Sequence, residues 1–131
     1  EGWCVGASAS KKSDIKFPIN LLEKKEDKKF IWRKIINQEL KKNYEKIFNM
    51  INTLIFLKIP SFKYVYKWRL LQEKKLKTLS KGNKIMNKDQ IKRFIMFYER
   101  ITKSMLKETS KFADITIKLD TKHRLTSIKI K

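Results

Sequence analysis

The sequence predicts an α/β fold, a mainly parallel sheet with crossover helices of which this chain carries the C-terminal portion. Three observations lead there. Helix-period and strand-period segments alternate along the 131 residues, a pattern that lays crossover helices on a sheet. The run at 53–59, Thr-Leu-Ile-Phe-Leu-Lys-Ile, is nearly continuous in apolar residues, as in strands covered on both faces. The third is a shortfall. Two or three strands cannot make a doubly covered parallel sheet, and the opening Glu1-Gly2-Trp3-Cys4-Val5-Gly6 reads as the close of a strand whose body lies upstream. One partial domain over 1–131 is expected.

The elements follow in order. Residues 7–14 are small, polar and basic, hence a loop. Pro18 keeps Phe17 extended, and Asn20 is placed to cap a short helix over 21–26. From Lys29 the residues Trp32, Ile36, Leu40, Tyr44, Ile47, Phe48 and Ile51 recur three or four apart. That spacing predicts one amphipathic helix of about six turns with those side chains inward. The strand at 53–59 ends at Pro60-Ser61, and Ser61 is placed to cap a helix over 62–79. A loop is expected at 80–83. Asn87 with Gln90 forms a capping-box pattern opening a helix to about Thr109. Its inward stripe is Ile91, Phe94, Ile95, Tyr98, Ile101, Thr102 and Met105. Ile115, Ile117 and Leu119 alternate with polar residues in a half-buried strand, and 125–130 returns as a second short strand after a turn.

Composition narrows the function classes. With 41% hydrophobic residues the chain can bury a usable core, and no apolar run reaches the length of a membrane span. A single cysteine makes no internal disulfide, which fits a reducing, cytoplasmic setting. Cys4 reads as a small packed residue. Lys and Arg number 33 against 13 Asp and Glu, a net charge of +20. Such a charge suits nucleic acid, anionic membrane or a phosphorylated substrate. Yet it is nearly all Lys, spread over every segment and accompanied by abundant Ile and Asn, the residues of A- and T-rich codons. Charge alone selects no partner.

In open α/β sheets ligands bind beyond the carboxyl ends of the strands. Two such ends are visible, Glu1-Gly2 and Pro60-Ser61. A carboxylate at Glu1 suits a Mg²⁺-bound water or the proton of a substrate hydroxyl, although a plain surface carboxylate fits equally. On the helix over 62–79, Phe62, Val65, Leu76 and Leu79 define the apolar face, with Arg69 and Gln72 inside it and Glu73 at its margin. An inward Arg needs an anion, because burying it unpaired is costly, and its planar fork suits phosphate. Glu73, one turn on, is the internal alternative. Trp68 reads as packing. Tyr98 lies on the inward stripe of the next helix, whereas Glu99 and Arg100 lie off it and read as surface charges. His123 stands in a turn with no second ligand nearby. The sequence holds no Gly-x-x-x-x-Gly-Lys-Ser/Thr loop, no Gly-x-Gly-x-x-Gly, no Ser-His-Asp arrangement and no Cys/His cluster.

Taken together, these segments resemble the glycerate 3-kinase family of P-loop kinases. The resemblance rests on Glu1-Gly2-Trp3-Cys4-Val5-Gly6, then Pro18-Ile19-Asn20 with Glu23 and Glu26-Asp27, then Trp32-Arg33. It continues through Pro60-Ser61-Phe62, Trp68-Arg69-Leu70-Leu71-Gln72-Glu73-Lys74-Lys75-Leu76, and Phe94 with Phe97-Tyr98-Glu99-Arg100-Ile101-Thr102. It closes with Ala113-Asp114 and Leu119-Asp120. The motif order over nearly the whole chain carries the likeness, not any one motif.

The resemblance implies a doubly wound P-loop kinase sheet, similar to that of uridine kinase, phosphoribulokinase and pantothenate kinase, with its N-terminal strands and P-loop outside this chain. It implies transfer of the ATP γ-phosphoryl group to a hydroxyl of D-glycerate, with ATP and Mg²⁺ as cofactors of the intact enzyme. Glu1 and Arg69 take the catalytic places by that analogy, Glu1 beside Mg²⁺ and the acceptor hydroxyl and Arg69 on a lid-like helix facing the phosphates. Trp3, Gln72, Glu73, Tyr98 and Arg100 fall on the substrate side of the crevice. The 131-residue piece alone is expected to be inactive, since the phosphate-cradling loop is not in it. The alternatives are a basic nucleic-acid-binding α/β module and an inactive kinase remnant.

Overall fold

A computed structural model describes residues 1–79 and 85–131; the loop expected at 80–83 lies outside the described residues. A small mixed sheet organises the chain. β1 (Ile55–Lys58) pairs in parallel with β2 (Ile115–Leu119), and β2 pairs antiparallel with β3 (Leu125–Ile130), giving the order β1-β2-β3. Between the parallel strands run the two crossover helices, α5 (Lys63–Leu79) and α6 (Lys88–Glu108), with a 3₁₀ turn at Thr109–Lys111 leading into β2. Ahead of the sheet come α1 (Lys12–Lys16), α2 (Leu21–Glu26) and α3 (Ile31–Glu39). α3 continues through a π turn (Leu40–Tyr44) into α4 (Glu45–Phe48), so the expected long helix is present.

Local chemistry accounts for the helix starts. Asn20 Oδ1 accepts the N–H of Glu23, capping α2 as expected. Asn87 and Gln90 complete the reciprocal capping box of α6. α3 is capped from farther back. Asp27 accepts the N–H groups of Ile31 and Trp32 at 2.7 and 2.9 Å, and a carboxylate there also suits the positive end of the helix dipole. Ser61 does not cap α5 with its side chain: among the described residues its Oγ is buried without a hydrogen-bond partner, while its carbonyl accepts from Tyr64 N–H.

The inward line of the long helix differs from the expected one. Arg33 and Leu40 are buried and Asn37 half-buried, while Trp32, Ile36, Tyr44 and Ile47 are exposed. The reason is polar. Arg33 Nε donates to Asp27 Oδ2 at 2.7 Å, and its other nitrogens reach the carbonyls of Ile15, Lys16 and Asp27. Asn37 bonds both the N–H and the carbonyl of Ser10. Residues that satisfy the backbone of the loop segments therefore turn inward, one position from the apolar stripe.

The core gathers Ala7, Leu40, Phe56, Met105 and Ala113, with Cys4, Phe48, Leu54, Ile101 and Leu106 packed against it. Gly6 passes beside it at φ +80°, a backbone conformation that favours glycine, and a Cβ there would press on Leu54 Cδ2 at 2.9 Å. This core covers one face of the sheet. Phe56 and Thr116, cross-strand partners, are its buried residues. The strand alternation was legible, but Thr116 is the well-buried position of β2, and Ile115, Ile117 and Leu119 are only half-buried. On β1 the expected double coverage is absent: Ile55 and Leu57 are 55% and 57% exposed.

Candidate active site

The carboxyl end of β1 opens on a cavity of about 560 Å³ lined by Trp3, Ile59, Trp68, Arg69, Gln72 and Tyr98, among others. Four of the sequence-derived site residues thus meet in one place. The aromatic wall comes from α6 and the N-terminal segment. Trp3 Nε1 donates to Thr102 Oγ1 at 2.9 Å, and Thr102 Oγ1 donates to the carbonyl of Tyr98 at 2.8 Å. The Trp3 and Tyr98 rings meet edge to face at 4.8 Å, and Phe94 lies 4.9 Å from Tyr98. Edge-to-face contact suits the ring quadrupoles and holds both side chains in register.

Arg69 projects from α5 onto the face of Phe94, with its Cζ 5.1 Å from the ring centroid. Its Nη1 donates to Gln72 Oε1 at 2.7 Å and its Nη2 to Glu73 Oε1 at 2.5 Å. Of the two partners open to Arg69 on sequence grounds, the internal one is made. The side chain is nonetheless 25% exposed, and its Nε is buried without a hydrogen-bond partner among the described residues. Glu73 is buried, and its second oxygen accepts the N–H of Met86, so it braces Arg69 from below. Leu76 and Leu79, expected on the inward face of α5, are exposed, and Glu73 takes the inward place in their turn of the helix.

The remaining candidates stand elsewhere. Glu1 is exposed and makes no hydrogen bond or ion pair among the described residues. Arg100 clasps the N-terminal segment to α6. It grips both oxygens of Glu23, at 2.8 and 2.6 Å, and donates to the carbonyls of Asp14 and Phe17. Glu99 bonds Asn20 Nδ2 and pairs with Lys103. Trp68 is a packing residue: its Nε1 donates to the carbonyl of Thr121, and its ring lies 3.8 Å from that of His123. Phe94, which supports Arg69, and Thr102, which fixes Trp3, are the site residues missed from sequence. Their signal was a place on the α6 stripe beside Tyr98.

A Mg²⁺ ion wants oxygen ligands in octahedral array, commonly one or two carboxylates beside substrate phosphates. Among the described residues no group of three or more His, Cys, Asp or Glu is placed to hold a metal. Glu1 brings a single carboxylate, so the described residues do not by themselves fit a Mg²⁺ site. Nor, among the described residues, is the cavity lined by a glycine that could cradle triphosphate.

A cleft at the carboxyl end of parallel strands is where open α/β sheets bind ligands. The chain is similar to two solved structures over 99% of its length. One is D-glycerate 3-kinase from Cryptococcus neoformans var. grubii, at 20% identity and a TM-score of 0.73, of which 48% is covered. The other is the YGR205w protein, at 20% identity and a TM-score of 0.59, of which 46% is covered. The chain therefore spans about half the length of each, consistent with a C-terminal portion of that fold. At that identity the likeness is one of fold. No protein-family model matches the sequence, and no curated protein matches it. Among the described residues no helix is long and apolar enough to cross a membrane.

Proposed function

We propose that this chain is the C-terminal, acceptor-side portion of a cytoplasmic, ATP-dependent small-molecule kinase that phosphorylates a hydroxyl of D-glycerate. The observation that carries the reading is the convergence of Arg69, Gln72, Trp3 and Tyr98 on one cleft at the end of β1, in a fold similar to that of a D-glycerate 3-kinase. Phosphoryl transfer asks a protein mainly for positioning and charge neutralisation. Arg69 supplies charge, held in direction by Gln72 and Glu73 and backed by Phe94. Trp3 and Tyr98 wall the cleft and exclude water. Glu1, outside the cleft lining but two residues before Trp3 in the chain, is assigned the proton of the acceptor hydroxyl. Arg100 and Glu73 act by positioning, since the bonds of both are spent inside the protein. ATP and Mg²⁺ are bound mostly by the half of the fold that this chain does not contain. That division leaves the chain inactive on its own.

The test is transfer from ATP to D-glycerate by the kinase assembled with its nucleotide-binding half. Arg69→Ala lowers turnover by roughly 10²–10³-fold, the scale for losing one preorganised charge donor, and Glu1→Gln lowers it further. Wild-type rates in both variants would refute the assignment.

A nucleic-acid reading rests on the +20 charge. It requires aromatic platforms free to stack on bases, and here Trp3, Trp68 and Tyr98 are engaged in internal contacts.

A further inference from the structure

The helical layer has a face on which bulky apolar side chains and unpaired lysines stand together. Ile31, Trp32, Ile35 and Ile36 occupy the first two turns of α3 at a spacing that puts them on one side, away from the buried Arg33 and Leu40. All four are exposed, Ile31 and Ile35 by 52%. Trp32 stacks on Phe97 of α6 at 6.4 Å, and Ile36 and Phe97 line one small cavity, so the apolar surface continues from α3 onto α6. Arg93 lies over Phe97 and pairs with Glu26, which ties α2 to the same surface. Around it stand Lys16, Lys24, Lys25, Lys28, Lys29 and Lys34, all exposed. None of them makes an ion pair among the described residues. The carboxylates of this stretch are spent elsewhere, Glu23 on Arg100, Glu26 on Arg93 and Asp27 on Arg33.

This combination discriminates between partners. Lysines are depleted at protein interfaces, where each would need a carboxylate opposite. A nucleic acid would engage the lysines and leave the isoleucines without a partner. A helical face of Trp, Phe and Ile flanked by free Lys suits the headgroup region of a bilayer, where the apolar groups reach the acyl boundary and the cations meet anionic lipid. We propose that the outer face of α3, with Phe97 and the lysines beside it, is a peripheral docking surface for an anionic lipid membrane. Ile31, Trp32 and Ile35 enter among the headgroups, and Lys28, Lys29 and Lys34 hold the phosphate and carboxylate groups next to them. The chain lies on the bilayer and does not cross it. None of these residues lines the Arg69 cleft, so the inference does not rest on the kinase reading.

The experiment sediments this chain with vesicles of phosphatidylcholine alone and of phosphatidylcholine mixed with phosphatidylserine; no ATP or acceptor is present. About tenfold more chain is expected on the anionic vesicles, a gain that about 1 M salt largely reverses by screening. Brominated lipid is expected to quench the tryptophan emission of the wild type and not that of Trp32→Phe, because Trp3 and Trp68 are engaged at the cleft. The double variant Ile31→Glu, Ile35→Glu keeps the circular dichroism melt, since both side chains already face solvent, and loses about tenfold in binding. Equal sedimentation with neutral and anionic vesicles overturns the proposal, as does quenching that Trp32→Phe leaves intact, or none at all. Retention on single-stranded RNA without vesicle binding overturns the choice of occupant. So does a homodimer that the double variant dissolves while vesicles bind nothing.

Discussion

Arg69 is charged, oriented by Gln72 and Glu73 and stacked on Phe94, yet one of its N–H groups is buried with no acceptor among the described residues. Leaving such a donor unpaired costs free energy that a bound anion can recover by drawing the guanidinium toward it. Asp27 shows the opposite state, complete satisfaction. Burial alone would raise its pKa, but hydrogen bonds from the Arg33 side chain and from the N–H groups of Trp32, Arg33 and Ile31 outweigh that and hold the carboxyl below its usual value. Its folded-state pKa is depressed, so its stabilisation is present above the unfolded-state pKa of about 3.9 and is lost as pH falls through the folded value. Urea melts of wild type and Asp27→Asn are expected to differ by about 3–5 kcal/mol at pH 7, and the gap is expected to narrow as pH falls below about 4. A gap that persists undiminished at pH 2 would show that the contribution is not ionic. Residue-scale chemistry was only partly legible in the sequence. Arg69 and Glu73 sit one turn apart, so their pairing could be anticipated. Arg100 reads as a surface charge by helical period, because its partner Glu23 lies 77 residues away and no local pattern encodes that distance.

Elements were more legible where their signals are local. Asn20 and the Asn87–Gln90 box mark their helix starts correctly, since capping is a matter of three or four residues. Asn87→Ala is expected to lower stability by about 1 kcal/mol and to speed exchange in the first turn of α6, read by amide exchange. An unchanged first turn would mean that packing of the fully buried Ile91 holds it instead. Ser61 shows the limit of the same rule: the right residue precedes the helix, but its hydroxyl does not reach an N–H. The faces of the long helix and of β2 were misassigned for a shared reason. Periodicity weighs apolar character, and here the inward positions include Arg33, Asn37 and Thr116, polar residues satisfied within the fold or shielded in the core.

At the scale of the whole molecule, a covered face and an open one explain why the chain reads as part of a sheet. The near-continuous apolar run of β1 predicted coverage on both sides, and the structure supplies it on one. Among the described residues the cleft holds a guanidinium, a Gln and two aromatic walls and is lined by no glycine. Nucleotide should therefore leave the thermal melt of the isolated chain unmoved, because a ligand stabilises only a protein that binds it. A clear upward shift in Tm with ATP would place the nucleotide site within these 131 residues. The most direct measurement is phosphoryl transfer from labelled ATP to D-glycerate by this chain alone, by the complementary kinase half alone, and by the two together. The account predicts product only from the pair, and less of it when Arg69 is replaced by Ala. Product from the chain alone, or a pair that assembles and transfers nothing to D-glycerate, would contradict it.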